Sequence, residues 1–492
     1  MDTLSRRQFI ILNLQLLVWA SLSGCRSSYP EIGKSPISQP LIVENHSQLL
    51  ANWAEQGIRD AVLINIDTHD DFRWIPDEKV SELREIYRRR DWKRFAETDT
   101  NADRGLYNVG NWIYAGERLG VFKEVCWVFP ANLFSQPNPD DLLRKLLKHY
   151  RFNEEDIRTF AARDNRYHGS FRGIPVTFCG IESLPDIKHP LLLSIDTDFF
   201  PTYADNYQVE YLAALQATFD ALYKKHYQVR DAGVSYSING EFLLPVHRWV
   251  GDTITLILQQ PGIINDAPSE LLSRLQKCDN AYRSGDADAI LKLVEQPLLK
   301  QQLPSLLLYK AFAHLLQGNP VKTFEASMKC CEVDPLYCTS LPYLGTLYLD
   351  NGQYQHAEKF FRAGFSANPT MENGVFPFAE CLRKVGKLQE ALSWYERSES
   401  LNGYFPSRVL IAKTHLLLGD RQSAISDIKF VLNRLQRDRY ASVKSTSIAD
   451  SCYAIIDFCE KNGFREIASS LKSTPAIKEM IRDFPSPKPD AT

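Results

Sequence analysis

Two short stretches of the sequence bring together residue types that bind divalent metal ions. Asp67, His69 and Asp71 follow the apolar run 61–66, and Asp196 and Asp198 follow the apolar run 191–195. Carboxylate oxygens and imidazole nitrogens are common metal ligands, and carboxylates crowded this closely repel one another unless a cation lies among them. The two stretches therefore predict a metal site and favour an enzyme. The alternative is that these aspartates only cap turns and helix N-termini.

The elements around these stretches predict how the ligands meet. Between residues 40 and 262, short apolar runs alternate with helical patterns, which is typical of a parallel sheet covered by helices on both faces. Ligand sites in such sheets lie beyond the carboxyl ends of the strands. His46 follows a third predicted strand, 41–44, whereas segment 167–179 is predicted to be a hairpin outside the sheet. The six expected metal ligands are His46, Asp67, His69, Asp71, Asp196 and Asp198.

The second half of the chain has a different period. Gly318, Gly352, Gly386 and Gly419 are spaced 34, 34 and 33 residues apart, each between two helical patterns. This spacing resembles the tetratricopeptide repeat, a helix-turn-helix unit of about 34 residues. Gly285 indicates a weaker unit before the three clear ones. We therefore expect an all-α repeat solenoid over residues 263–475, followed by a disordered tail at 476–492.

The N-terminal residues are typical of an exported lipoprotein. Arg6 and Arg7 form a twin-arginine pattern before a modest apolar stretch, 10–20, and Leu-Ser-Gly precedes Cys25 as in a bacterial lipobox. We predict a signal peptide at 1–25, lipidation of Cys25 and a flexible linker at 26–39. This would place the protein in the cell envelope, facing the periplasm or the exterior. The alternative is an uncleaved membrane anchor with a chance cysteine.

The metal motifs also resemble those of a known superfamily. Asp-x-His-x-Asp, a later Ser-x-Asp-x-Asp and an upstream His-Ser pair are similar to the arginase/deacetylase superfamily over roughly residues 40–245, closest to an uncharacterised arginase-related domain family. The resemblance implies a three-layer α/β fold with a mostly parallel sheet and two divalent ions. In the implied arrangement Asp67 and Asp196 bridge the ions, His46 and Asp71 complete one, and His69 and Asp198 complete the other. Manganese is the expected metal, with zinc or iron as alternatives.

The resemblance implies hydrolysis of a carbon–nitrogen bond in a guanidino, amidine or amide group, by water activated between the ions. Asp67, His69 and Asp196 are the implied catalytic residues, together with Glu241. Glu241 follows the last predicted strand, where ureohydrolases place a carboxylate that holds the guanidinium, although a solvated loop residue fits equally. The chain departs from the family at Glu44 and the following asparagine, which stand where glycines are usual.

Several further polar residues have both a functional and a structural interpretation. Asn108 and Asn111 could line the mouth of the site, or they could form a turn and a helix N-cap. His168 could be a proton shuttle or a surface residue. Most cysteines are expected to be buried thiols, with Cys452 and Cys459 as the first pair to examine for a disulfide.

The predicted organisation combines an enzyme domain with an interaction domain. A signal peptide (1–25) and linker (26–39) precede a metallohydrolase domain (40–262), the repeats (263–475) and the tail (476–492). Expected partners are a small-molecule substrate, a protein or peptide bound by the repeats, and the membrane through the lipid. The alternative for the repeats is that they shield the active site. The formal net charge of −3 does not indicate nucleic-acid binding. The alternatives are a non-catalytic envelope scaffold with a structural or vestigial metal site, and a phosphoesterase that uses the same ligands.

Overall fold

The computed structural model describes most of the chain between residues 29 and 473. The described ranges are 29–100, 105–150, 152–239, 242–264, 269–296, 303–402, 405–437, 456–461 and 463–473, with single positions 453, 475 and 478. The predicted signal peptide with Cys25, and nearly all of the predicted tail, lie outside these residues. Among the helices that are described, none has the length and apolar character needed to cross a bilayer.

The first half of the chain forms a mixed eight-stranded sheet. The strands are β1 (Leu41–Val43), β2 (Ala61–Ile66), β3 (Phe122–Phe129), β4 (Ala161–Arg163), β5 (Arg166–Phe171), β6 (Ile174–Gly180), β7 (Leu191–Asp196) and β8 (Val229–Ser235). Their order is β1-β8-β7-β2-β3-β6-β5-β4. All neighbours are parallel except β6–β5 and β5–β4, which are antiparallel. The carboxyl ends of β1, β2 and β7 therefore lie at the same edge.

Helices cover both faces of this sheet. They are α1 (Ser47–Glu55), α2 (Asp77–Arg89), α3 (Trp92–Glu97), α4 (Trp112–Arg118), α5 (Pro139–His149), α6 (Glu154–Thr159), α7 (Phe199–Tyr207), α8 (Tyr211–Lys224) and α9 (Arg248–Gln259). All residues of β2 are buried, as expected for a strand that is covered on both sides. Val62 and Ile64 belong to one apolar cluster and Leu63 to another, because successive side chains point to opposite faces. The layers are thus helix, sheet and helix.

Two sequence-based expectations about strands were wrong. Segment 167–179 does form a hairpin, but it belongs to the sheet, because β6 pairs in parallel with β3. Gly173, at a φ of +87°, allows the tight turn, and the buried Val176 and Phe178 supply contacts that join β6 to the core. The last strand, which the sequence pattern places at 233–238, just before Glu241, spans Val229–Ser235 in the structure, so residues 236–238 lie in the loop beyond it.

The described part of the predicted linker, residues 29–39, packs against the sheet domain. Glu31 forms an isolated antiparallel bridge with Gln228, just before β8. Ile32 and Ile37 are buried in the apolar cluster that includes one face of the sheet. This segment therefore extends the core of the sheet domain toward the N-terminus, because its two isoleucines are removed from water there.

The second half of the chain consists of paired helices. They are α10 (Glu270–Arg283), α11 (Ala287–Glu295), α12 (Pro304–Leu316), α13 (Pro320–Val333), α14 (Ser340–Asp350), α15 (Tyr354–Ala367), α16 (Val375–Lys384), α17 (Leu388–Asn402), α18 (Phe405–Leu417), α19 (Arg421–Arg437) and α20 (Arg465–Ser473). Gly285 and Gly318 lie between the helices of a pair at φ +73° and +66°, a left-handed conformation that glycine adopts at little cost. The next residue, Asp286 or Asn319, caps the second helix through its side chain.

The first repeats pack directly against the sheet domain. Nε2 of His247, in the segment after β8, lies 3.0 Å from Oδ1 of Asp279 on α10. Nε1 of Trp249 donates a 3.0 Å hydrogen bond to the hydroxyl of Tyr309 on α12. All four side chains are buried, and one apolar cluster runs from the sheet into the repeats without a break. The two halves of the chain therefore share a core.

Later repeats also contact the sheet domain. The hydroxyl of Tyr337 donates to Asp252 on α9 at 3.2 Å, and α14 contacts residues 245–247. Further along, the hydroxyl of Thr100, which follows α3, donates to the backbone oxygen of Leu401 at 3.4 Å. The array is thus attached to the sheet domain at its start, in its middle and near α17.

The repeat core provides a first prediction. Leu344 on α14 has no exposed surface, whereas Leu336, eight residues earlier, is 54% exposed. We expect Leu344→Ala to lower the free energy of unfolding by about 2–5 kcal/mol, because it removes buried methyl groups and leaves a cavity. The control Leu336→Ala should change it by no more than about 0.5 kcal/mol. Urea denaturation of the full chain, followed by circular dichroism, measures both; equal effects would contradict the described packing.

Candidate metal centre

His46 stands at the centre of the first group of candidate ligands. Its Nδ1 lies 3.1 Å from Oδ2 of Asp67 and 2.8 Å from Oδ2 of Asp196, and its Nε2 lies 2.8 Å from Oδ2 of Asp71. All four side chains are nearly or fully buried. His46 immediately precedes α1, Asp67 and Asp71 follow β2, and Asp196 ends β7. Three strand ends therefore bring these residues together.

His69 forms the second group with two carboxylates. Its Nδ1 lies 3.0 Å from Oδ2 of Asp198 and 3.7 Å from Oδ1 of Asp67. Asp67 belongs to both groups. One ligand atom from each of His46, Asp67 and Asp196 lies within 4.8 Å of the others, and the same holds for Asp67, His69 and Asp198. His69 is about a third exposed, and its ring makes an edge contact with the exposed Phe242. The second group is therefore the more accessible to solvent.

The contacts between imidazole rings and carboxylates in both groups are short, but no hydrogen bond joins a ring nitrogen to a carboxylate among the described residues of these two groups. Both ring nitrogens of His46 and both carboxylate oxygens of Asp198 are buried without a hydrogen-bond partner among the described residues. Buried polar groups are normally hydrogen-bonded or bound to a metal, because leaving them unpaired is costly. Imidazole and carboxylate groups that lie close together without hydrogen-bonding to each other are what we expect of ligands directed at a shared metal ion. The donor set, oxygen with some nitrogen, suits divalent manganese, iron or zinc.

The electrostatics of the cluster favour the presence of positive charge among the carboxylates. Burial opposes a charge on His46, yet the carboxylates of Asp71 and Asp67 raise its pKa well above the ordinary value. Burial likewise opposes a charge on His69, but Asp198 and Asp67 raise its pKa to about 11. Burial and repulsion from Asp196 raise the pKa of Asp198 to about 8. Within the described chain, no lysine or arginine forms an ion pair with these carboxylates.

Neighbouring side chains orient the candidate ligands. Nδ2 of Asn65 donates to Oδ2 of Asp67 at 3.2 Å, and the hydroxyl of Ser237 donates to Oδ2 of Asp196 at 2.7 Å. Nε1 of Trp112 donates to Oδ2 of Asp71 at 2.8 Å. Residues that hydrogen-bond to metal ligands fix their orientation and influence metal affinity. The sequence analysis did not predict these three residues. Ser237 and Trp112 are distant in sequence from the aspartates they contact, and Asn65 lies inside a buried strand.

Ser237 provides a second prediction. We expect Ser237→Ala to weaken metal binding by roughly 10- to 100-fold, because it removes the donor that orients Asp196. The control is Ser81→Ala, which removes an exposed hydroxyl that bonds to its own helix backbone. Titration of the metal-free protein with Mn2+, followed by calorimetry, gives both affinities. Equal affinities in the two variants would show that the Ser237 hydroxyl does not support the site.

Glu44 anchors the loop that follows β8. Its Oε1 accepts hydrogen bonds from the backbone nitrogens of Ile238 and Asn239, at 2.7 and 2.6 Å. Its backbone oxygen accepts from the nitrogen of Ser237 at 2.8 Å. The side chain thus holds the loop after β8 against the end of β1. This loop leads to Glu241, which lies outside the described residues, so its predicted role stays a prediction.

The other sequence candidates lie in different surroundings. The backbone nitrogen of Asn108 donates to Oδ1 of Asn111 at 2.7 Å, and Oδ1 of Asn108 accepts from Gly110, so both amides stabilise the turn before α4. His168 lies on β5, three strands from β2. At about 4.8 Å per strand, it is too distant to exchange protons with the cluster. Its neighbour is Thr177, whose hydroxyl lies 3.2 Å from Nδ1.

The cysteines that the structure describes are buried free thiols. They are Cys126, Cys179, Cys278, Cys330, Cys331, Cys338, Cys381 and Cys459. Cys452 lies outside the described residues, so its pairing with Cys459 stays open.

Comparison with known proteins identifies the repeats. The tetratricopeptide-repeat profile matches residues 344–371. Two solved structures of MamA, labelled MSR-1 and AMB-1, are 18% and 17% identical to the chain, with TM-scores of 0.26 and 0.27. They cover 34% and 37% of this chain and 96% and 98% of their own. No curated protein matches the chain significantly. The chain therefore contains a tetratricopeptide-repeat region, as the spacing of its glycines predicted.

Proposed function

We propose that the chain is a binuclear metal-dependent hydrolase of carbon–nitrogen bonds, related in its site to the arginase/deacetylase superfamily. One observation supports this most strongly: two groups of carboxylates and histidines, all buried except the partly exposed His69, converge at the sheet edge and share Asp67. The order of the motifs along the chain also supports the proposal, as does the grouping of His46 with Asp67 and Asp196, and of His69 with Asp67 and Asp198. The proposal includes a guanidino, amidine or amide group as the bond that is cleaved.

Six residues would bind the two metal ions. His46 and Asp71 would hold one ion, His69 and Asp198 the other, and Asp67 and Asp196 would bridge them. Bound divalent ions would supply Lewis-acid activation of water and of the planar carbon that is attacked. Manganese is the proposed metal, with zinc or iron as alternatives.

The chain's own side chains would prepare the site for those ions. Asn65, Ser237 and Trp112 keep the carboxylate oxygens oriented toward the centre of the cluster. Burial of Asp67, Asp196 and the neighbouring apolar strands excludes bulk water from the inner side. His69 is the most exposed of the six, so substrate would approach from its side.

Tetratricopeptide repeats are protein-interaction modules, and the second half of the chain contains them. We propose that they bind a protein or peptide while the N-terminal segment exports the protein and Cys25 anchors it by a lipid to the cell envelope. The alternative is a scaffold whose repeats carry the function and whose metal site is structural or vestigial, and the repeat match is compatible with it.

A substrate screen separates these functions. The purified, Mn2+-loaded full chain is assayed against guanidines, amidines, acyl-amines and generic phosphoesters. The hydrolase proposal expects turnover of at least one carbon–nitrogen substrate, lost in Asp196→Asn and kept in Asp186→Asn, an exposed carboxylate paired with Lys225. Turnover of phosphoesters alone would favour a phosphoesterase. No turnover of any class, with the metal bound, would favour the scaffold.

A further inference from the structure

We propose that Asp99 and Tyr107 form a second polar subsite beside the metal cluster, and that it binds a cationic group of the substrate, an ammonium or a guanidinium. This inference rests on the proposed function, because it names the class of substrate that the hydrolase takes. None of the six candidate ligands belongs to this subsite.

The subsite is joined to the cluster by a single residue. Ser47 follows the candidate ligand His46 directly, and its hydroxyl donates a 2.8 Å hydrogen bond to Oδ2 of Asp99. Asp99 follows α3 and forms an isolated parallel bridge with Tyr107. A group bound between these residues therefore lies next to the metal cluster rather than on a separate surface.

Asp99 is a part-buried carboxylate with few polar partners among the described residues. Ser47 is its one hydrogen-bond donor among the described residues, and none of their lysines or arginines forms an ion pair with it. The charged groups that act on it are His46, which favours its ionised form, and Glu372 from the repeats, which opposes it. An ionised carboxylate in such surroundings is stabilised by a cation that donates hydrogen bonds.

Tyr107 gives an independent indication of a ligand. Its side chain is 1% exposed, and its hydroxyl has no hydrogen-bond partner in the described part of the chain. Tyr107 is a direct neighbour of Asp99 across the isolated parallel bridge. A buried hydroxyl without a partner is costly, so a bound polar group is expected to satisfy it. A carboxylate and a hydroxyl together suit an ammonium or guanidinium better than an anion or an apolar group.

The repeats limit the size of what can bind there. Thr100, next to Asp99, donates to the backbone oxygen of Leu401 on α17, so the repeat array covers this side of the subsite. An enclosed subsite favours a small substrate whose cationic end enters it while the bond to be cleaved lies at the metal cluster. Neutral acyl-amines would leave Asp99 without a counter-charge.

Binding of a simple probe tests the inference without requiring turnover. The Mn2+-loaded full chain is titrated with 1,4-diaminobutane and with its neutral analogue 1,4-butanediol, and heats are measured by calorimetry. We expect the diamine to bind at least about 10-fold more tightly, since a charge-assisted hydrogen bond contributes about 1.5–3 kcal/mol. Asp99→Asn keeps an acceptor for Ser47 but removes the charge, and should abolish this preference.

Two further variants, one in the subsite and one control, complete the test. Tyr107→Phe should weaken diamine binding by a few-fold. The matched control is Asp220→Asn, because the Asp220 carboxylate also accepts a hydrogen bond from one side chain, Gln216, but lies on α8, outside the subsite. This variant should leave diamine binding unchanged. Thermal unfolding verifies that each variant is folded. Equal binding of diamine and diol, or an unchanged preference in both Asp99→Asn and Tyr107→Phe, would overturn the inference. Loss of turnover in the substrate screen with diamine preference intact would instead count against the proposed hydrolysis.

Discussion

Replacing Asp67 by asparagine is expected to abolish binding of both metal ions and to lower kcat/KM by at least about 1,000-fold. Asp67 is the residue shared by the two ligand groups, and it lies within 3.7 Å of both histidines. A neutral amide cannot supply the charge that two cations require. Lewis-acid stabilisation by the ions lowers the activation free energy by several kcal/mol, and each 1.36 kcal/mol corresponds to about a tenfold change in rate.

The control for this substitution is Asp186→Asn, at an exposed carboxylate whose ion pair is with Lys225. Metal content and turnover of both variants are measured on the same preparation, with circular dichroism to compare their folds. If Asp67→Asn keeps two ions, or if the exposed control loses them as well, the assignment of Asp67 as the shared ligand is wrong.

The second large effect concerns pH and the stability of the metal-free protein. The pKa of His69 is about 11 and that of Asp198 is about 8 in the folded chain, both raised. The folded state therefore binds these protons more tightly than the unfolded state, so the free energy of unfolding falls as pH rises. For Asp198 the loss extends from about pH 4 to 8, and for His69 it begins near pH 6.5. The lowered pKa of Asp67 acts only below this window.

We therefore expect the metal-free protein to have a lower Tm at about pH 8 than at about pH 6. Added Mn2+ should raise Tm by roughly 5 °C or more at the higher pH, because a ligand at about 100 times its Kd stabilises by about 2.7 kcal/mol. The gain should be smaller at the lower pH, where protons compete with the metal for the ligands. Scanning calorimetry with and without chelator measures both values, and Asp196→Asn serves as the control. A gain that is larger at the lower pH would contradict this account.

Much of the fold could be predicted from local pattern. The apolar runs that became β2 and β7 are covered on both sides, and such runs are recognisable without knowledge of distant contacts. The repeats were predictable because the turn between paired helices requires a positive φ, which favours glycine at positions such as Gly318 and Gly352. The placement of β6 was not predictable, because its pairing with β3 depends on partners some 50 residues away.

The candidate metal site, like the fold, could be predicted only in part. His46, Asp67 and Asp196 could be predicted to meet because ligands gather at the carboxyl ends of parallel strands. The supports could not be predicted: Trp112 and Ser237 reach the cluster only after the chain has folded, and neither belongs to a motif. Asp99 was missed for the same reason, since its link to the cluster is the hydroxyl of Ser47, 52 residues away in sequence.

Metal content is the most direct test of the central claim. The full chain is purified without chelator, loaded with Mn2+, freed of excess metal and analysed by mass spectrometry of the elements. Convergence of the six side chains around two shared ions predicts about two equivalents of metal per chain, falling to one or none in Asp196→Asn. A wild-type protein that holds one ion or none under these conditions would contradict the account.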